Sequence, residues 1–104
     1  MILYGPSGRP EKEDMDMPYI AREERPRLEP EIRALIEKLK AAPAEQMDGQ
    51  VNYVISRLLA GLYPPRYFNY NRAMGVLGCV TQEFYRRSVA PYEDGKIREH
   101  GDIV

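Results

Sequence analysis

The stretch AMGVLGCVTQEFYRRSVAPY, residues 73–92, decides the predicted fold. No proline interrupts it before Pro91, and its apolar residues recur with the spacing of one helical face, which predicts one long helix. Gly75 and Gly78 lie inside this helix, where each glycine costs about 1 kcal/mol relative to alanine. Because both glycines are present despite this cost, we expect another helix or a second copy of the chain to lie close against Gly75 and Gly78.

Two shorter amphipathic helices precede this stretch in the prediction. The first runs from Pro30 to Ala41 or Ala42, and Pro43 stops it. The second runs from Gly49 to Leu62, after a linker over 44–49 in which Asp48 is a candidate N-cap. The apolar stripes are Ile32, Leu35, Ile36 and Leu39 in the first helix and Val51, Val54, Ile55, Leu58, Leu59 and Leu62 in the second.

The remaining segments are connections and ends. Residues 63–71 contain two prolines and predict an extended connection, with Asn69 or Asn71 capping the long helix. Pro91 predicts either the end of the long helix or the start of another, and residues 93–101 predict a short helix that ends at Gly101. The first sixteen residues predict an irregular arm, and 17–104 a single helical domain. No strand pattern is present, so the predicted fold class is all-α: a small bundle of three principal helices with short extra helices.

Composition limits the class of protein. The chain has 104 residues, 43% hydrophobic and 30% charged, as in one soluble globular domain. It contains no run of roughly 18 apolar residues and no signal-peptide pattern, and its single cysteine forms no internal disulfide or CxxC motif. We therefore expect a cytoplasmic protein, with no membrane partner and no cofactor or metal.

Charge is unevenly distributed along the chain. The net charge of −1 combines +4 over residues 51–92 with −3 over 1–50 and −2 over 93–104. The acidic ends can neutralise the basic middle, or the middle can attract an anionic ligand. The sequence pI of about 5.9 disfavours nucleic acid, because nucleic-acid-binding domains are usually basic.

Two segments carry a family resemblance. They are DGQVNYVISRLL at 48–59 and NRAMGVLGCVTQEFYRRSVAPYEDGKIREHGD at 71–102, of which EFYRRSVAPYEDGKI is the most specific part. Together with MPYI at 17–20 and RLEPEI at 27–32, they resemble a family of short uncharacterised proteins of bacteria, archaea and phages. The resemblance covers about residues 17–104 and implies a recurring helical domain, without an assigned activity.

Tyrosine and arginine side chains form the main candidate patch. Tyrosine has an apolar ring and a polar tip, and both residue types are enriched in interface hot spots. Packing within the chain, a subunit interface and an anion site are the three interpretations of this set. The predicted interface or ligand patch consists of Tyr53, Arg57, Gly75, Gly78, Glu83, Tyr85, Arg86, Arg87, Tyr92, Glu93 and Asp94.

Catalytic signatures are weak in this chain. Glu99 and Asp102 have the ExxD spacing of helical pyrophosphohydrolases, which bind magnesium through paired carboxylates, but Gly101 lies between them. We expect His100, the single histidine, to be an exposed residue near the end of the chain. We expect Cys79 to be a small buried apolar residue.

The sequence favours a homo-oligomeric interaction or scaffolding module without catalysis, which self-associates or binds another protein. A metal-dependent hydrolase of a phosphorylated compound is the first alternative. An anion or nucleic-acid binder using Arg57, Arg72, Arg86 and Arg87 is the second.

Overall fold

A computed structural model describes residues 19–104, and this part of the chain is helical without a strand. The predicted all-α fold class is therefore confirmed. The predicted arm over 1–16 lies outside the described residues, so its boundary with 17–104 stays a prediction. The elements are a 3₁₀ helix Arg22–Arg27, α1 Glu29–Lys40, α2 Ala44–Leu62, α3 Tyr67–Phe84, a π-helical segment Tyr85–Val89 and α4 Ala90–His100.

Helix α1 follows its sequence signals closely. Pro30 lies in the first turn, where its missing N–H removes no helical hydrogen bond. Acidic Glu29 and Glu31 lie at the positive end of the helix dipole, and Lys38 and Lys40 at the negative end. The predicted helix is confirmed to within two residues at either end.

Helix α2 begins earlier than predicted. Its first residue is Ala44, so the predicted linker over 44–49 is wrong, and Asp48 lies inside the helix instead of capping it. The cause is the run of good helix formers from Ala44 to Met47, together with a hydrogen bond of 2.9 Å from the Gln46 N–H to the Pro43 carbonyl. This run outweighs the cost of Gly49 within the helix.

Helix α3 also begins earlier, at Tyr67, so Asn69 and Asn71 are helical residues and not caps. Arg66 is the N-cap, with extended backbone angles of φ −142° and ψ 146°. The Asn69 side-chain amide instead donates to the Pro64 carbonyl at 3.2 Å. This bond fixes the short diproline turn against the first turn of α3.

The chain stays helical through Pro91, so of the two predictions for this proline the start of another helix is confirmed and the end of the helical chain is wrong. Helix α3 ends at Phe84, and the Ala90 N–H bonds to the Tyr85 carbonyl five residues back, as in a π-helix. Pro91 then lies in the first turn of α4, where it needs no N–H. The wider π turn accommodates Pro91 without ending the helical chain. As predicted, Gly101 ends α4, with a φ of 90° that favours glycine.

The chain divides into two units, and the boundary lies within α2. One unit ends at Val54 and the other comprises Ile55–Val104. In the second unit Ala73 is 7% exposed, and it is the one buried residue within 19–104. The first unit has no buried residue from Tyr19 onward.

Candidate functional site

The apolar face of α3 is open along most of its length. Ala73, Leu77, Val80 and Phe84 follow one another at four-, three- and four-residue steps, which places them on one side of a helix, and we call them the α3 stripe. Ala73 is buried and Leu77 half-buried, whereas Val80 is 58% and Phe84 64% exposed. The stripe therefore has a packed beginning and an unpacked end.

The other predicted stripes are exposed in the same way. In the first unit, Ile32, Leu35 and Ile36 of α1 are all exposed, and Leu39 is half-buried. In the second unit, Ile55, Leu58 and Leu62 of α2 are exposed, Leu62 by 69%, and Leu59 is half-buried. Contiguous exposed apolar faces are uncommon on soluble monomers and mark interaction surfaces.

The two α3 glycines lie away from the stripe. At about 100° per residue, Gly78 is about 100° and Gly75 about 160° around the helix from Leu77. A Cβ added at either position meets no heavy atom within 4 Å in the described part of the chain. The predicted close contact is thus not made there by residues 19–104, and a contact with another molecule stays a prediction.

An arginine and two rings form a cluster at the start of α3. The guanidinium carbon of Arg72 lies 5.6 Å from the centre of the Tyr63 ring and 5.9 Å from that of the Phe68 ring. Both distances are within the range of cation–π attraction. We call Tyr63, Phe68 and Arg72 the arginine–aromatic cluster. The sequence interpretation missed Tyr63 and Phe68, because the four-residue spacing from Phe68 to Arg72 is informative only if the helix starts before Phe68.

The junction of α3, the π segment and α4 brings four predicted site residues together in pairs. The Tyr85 hydroxyl donates to the Glu93 carboxylate at 2.6 Å, across the π segment. Arg86 donates to both oxygens of Glu83, at 2.8 and 3.0 Å. The hydrogen bond to Glu93, and then the charge of that carboxylate, raise the pKa of Tyr85 above its ordinary value of 10.0.

The remaining predicted patch residues are exposed on their helices. Tyr53 and Arg57 lie on α2, Arg87 in the π segment and Asp94 on α4. Tyr92 is exposed on α4, with the Lys96 ammonium 5.5 Å from its ring centre.

Metal and thiol chemistry are limited in the described part of the chain. No group of three His, Cys, Asp or Glu side chains within 19–104 is arranged to hold a metal ion. His100 is exposed, as expected, and lies 3.6 Å from Glu99. Cys79 is exposed, which contradicts its predicted burial. The reason is its position about 160° around α3 from Leu77, on the side opposite the stripe.

Together these observations define an all-α chain with open apolar helix faces and an arginine–aromatic cluster. None of its helices within 19–104 is long and apolar enough to cross a membrane. The chain belongs to the family described as Domain of unknown function (DUF6899), whose model matches residues 17–103. No curated protein and no solved structure shows a significant match. Membership agrees with the resemblance to an uncharacterised family.

Proposed function

We propose that the chain is a small cytoplasmic interaction module that self-associates, so that copies complete its helical bundle by covering one another's apolar faces. The exposure of Phe84 at the end of the α3 stripe is the observation that carries the proposal, since 64% of this large ring is uncovered in the single chain. The predicted bundle core then forms between molecules.

Energetics support association. Ordering a residue's backbone costs about 1–2 kcal/mol, and burial of apolar surface is the main compensation. In the described part of the chain, Ala73 is the one buried residue, and its side chain is small. Small domains with too little core commonly gain stability from oligomerisation.

Charge supports a second copy as the partner. The basic middle of the chain, +4 over residues 51–92, is flanked by segments of −3 and −2. Two copies can place acidic segments of one against the basic middle of the other, which favours encounter and fixes orientation. A copy of the same chain supplies both the apolar surface and the opposite charge.

Analytical ultracentrifugation combined with chemical unfolding over a range of protein concentrations tests the proposal. We expect an assembly and an unfolding midpoint that rises with concentration, because folding and association are then coupled. A monomer whose unfolding midpoint is independent of concentration overturns it. Phe68→Ala is a suitable control because Phe68 lies about 180° around α3 from Leu77 of the stripe, and it should leave the assembly unchanged.

The hydrolase alternative stays a prediction with a simple test. Magnesium ions should raise the melting temperature of the wild-type chain if carboxylates bind them, and should not do so for Glu99→Gln.

A further inference from the structure

The sequence around the arginine–aromatic cluster is free of competing carboxylates. Between Asp48 and Glu83 the chain contains Arg57, Arg66 and Arg72 and no acidic residue. The net charge of −1 and the low pI describe the whole chain and conceal this basic interval. An anion that approaches the start of α3 therefore meets local positive charge.

The cluster leaves the binding groups of Arg72 available. A guanidinium lying over aromatic rings uses its flat faces for cation–π contact, and its N–H donors are directed outward around its edge. Within residues 19–104 no salt bridge joins Arg72 to a carboxylate, and its side chain is exposed. The Phe68 ring is 69% exposed, so it has surface available for a further stacking partner.

The cluster faces away from the surface proposed for self-association. Phe68 lies about 180° and Arg72 about 140° around α3 from Leu77 of the stripe. Gly75 follows Arg72 by three residues on the same side and has open space at its Cβ position. Gly75 itself carries no side chain, so a ligand can lie close to the backbone at that residue.

We propose that this face of α3, formed by Tyr63, Phe68, Arg72 and Gly75, binds single-stranded nucleic acid. The Phe68 ring stacks on a base, Arg72 donates to a phosphate, and Gly75 lets the strand lie against the helix. Exposed rings combined with arginine are the surface that single-stranded nucleic acid uses, because every unpaired base has a face for stacking. A duplex hides those faces, and an acidic peptide has none. Because this face lies on the side of α3 opposite the stripe, binding here does not compete with self-association.

Fluorescence anisotropy with fluorescein-labelled oligo(dT) and oligo(U) of about 15 nucleotides tests the inference. We expect binding at ~50 mM salt that weakens as salt rises, since bound phosphates release counterions. Phe68→Ala should weaken binding at least about fivefold, the lower end for loss of one stacked base. Arg72→Lys, which keeps the charge and loses the planar group, should weaken it less than Arg72→Ala.

A charge-reversed pair at one position provides the matched control. Gly75→Glu and Gly75→Lys both replace glycine with a good helix former, so both should fold at least as well as the wild type. Gly75→Glu should abolish binding, because it adds both a side chain and a repelling charge, whereas Gly75→Lys adds a side chain with a favourable charge and should weaken binding less.

Three results would overturn the inference. The first is no binding of either oligonucleotide at ~50 mM salt. The second is binding that Phe68→Ala and Gly75→Glu leave unchanged. The third is equal affinity for duplex DNA, heparin or poly-glutamate, which would show a general polyanion surface without stacking. Circular dichroism of each variant establishes that a loss of binding is not a loss of fold.

Discussion

Replacement of Phe84 by alanine is the sharpest perturbation of the proposed assembly. Full burial of a side chain of this size stabilises by roughly 1.5–3 kcal/mol. Phe84 is 64% exposed in the single chain, so covering the remainder in an assembly contributes about 1–2 kcal/mol per copy. A dimer contains two copies, so the loss on dissociation is about 2–4 kcal/mol, and Kd should rise about 30- to 1,000-fold.

The chain supplies a matched control for this experiment. Phe68 is the same residue type in the same helix and is 69% exposed, but it lies on the opposite side from the stripe. Sedimentation equilibrium of the wild type, Phe84→Ala and Phe68→Ala measures the three dissociation constants. Phe84→Ala should weaken assembly by the stated factor, and Phe68→Ala should leave it within about threefold of the wild type. Equal effects of the two variants, or none from either, would refute the assignment of the stripe as the interface.

Three further predictions concern the glycines, Tyr85 and Cys79. Gly75→Ala should raise the free energy of unfolding by about 1 kcal/mol, because the Cβ meets open space; Gly101→Ala should lower it by about 1–3 kcal/mol, because of the φ of 90°. Denaturant unfolding that shows both variants changing stability in the same direction would contradict this account. Glu93 raises the pKa of Tyr85 in the folded state. The difference in unfolding free energy between wild type and Tyr85→Phe should therefore have its full value below pH ~10 and become smaller above it. Unfolding titrations from pH ~9 to ~11 measure that difference, and one that grows with pH would rule out the hydrogen bond as its source. The exposed Cys79 thiol should react with Ellman's reagent in the native assembly, because it lies off the stripe; reaction only after denaturation would show that the interface covers it.

The periodic apolar residues made the all-α fold and the position of α1 predictable. The starts of α2 and α3 were not, because the N-cap rule favoured Asp48 and the asparagines of the tyrosine-rich connection. In the structure Asp48 lies inside α2, whose first turn contains good helix formers. Asn69 and Asn71 lie inside α3, whose first turn is held by the hydrogen bond from Asn69 to the Pro64 carbonyl. Local capping preferences were thus outweighed by helix propensity and by the turn before α3.

The site was predictable in part. The sequence places Glu83, Tyr85, Arg86 and Glu93 in one patch without these pairings, and the structure joins them as Tyr85 with Glu93 and Arg86 with Glu83. The π segment is not predictable, because a widened turn leaves no sequence signal of its own. Pro91 predicts either the end of the long helix or the start of another, and in the structure the junction lies between two helical segments. The arginine–aromatic cluster was missed for a similar reason: its spacing depends on where α3 begins.

The mass of the native protein in solution tests the central claim most directly. Sedimentation equilibrium over a wide concentration range should give an integer multiple of the 12.0 kDa chain mass, with dissociation only at low concentration and loss of helical signal as the copies separate. A particle of 12.0 kDa at every concentration, with full helical content and a sharp unfolding transition, would contradict it.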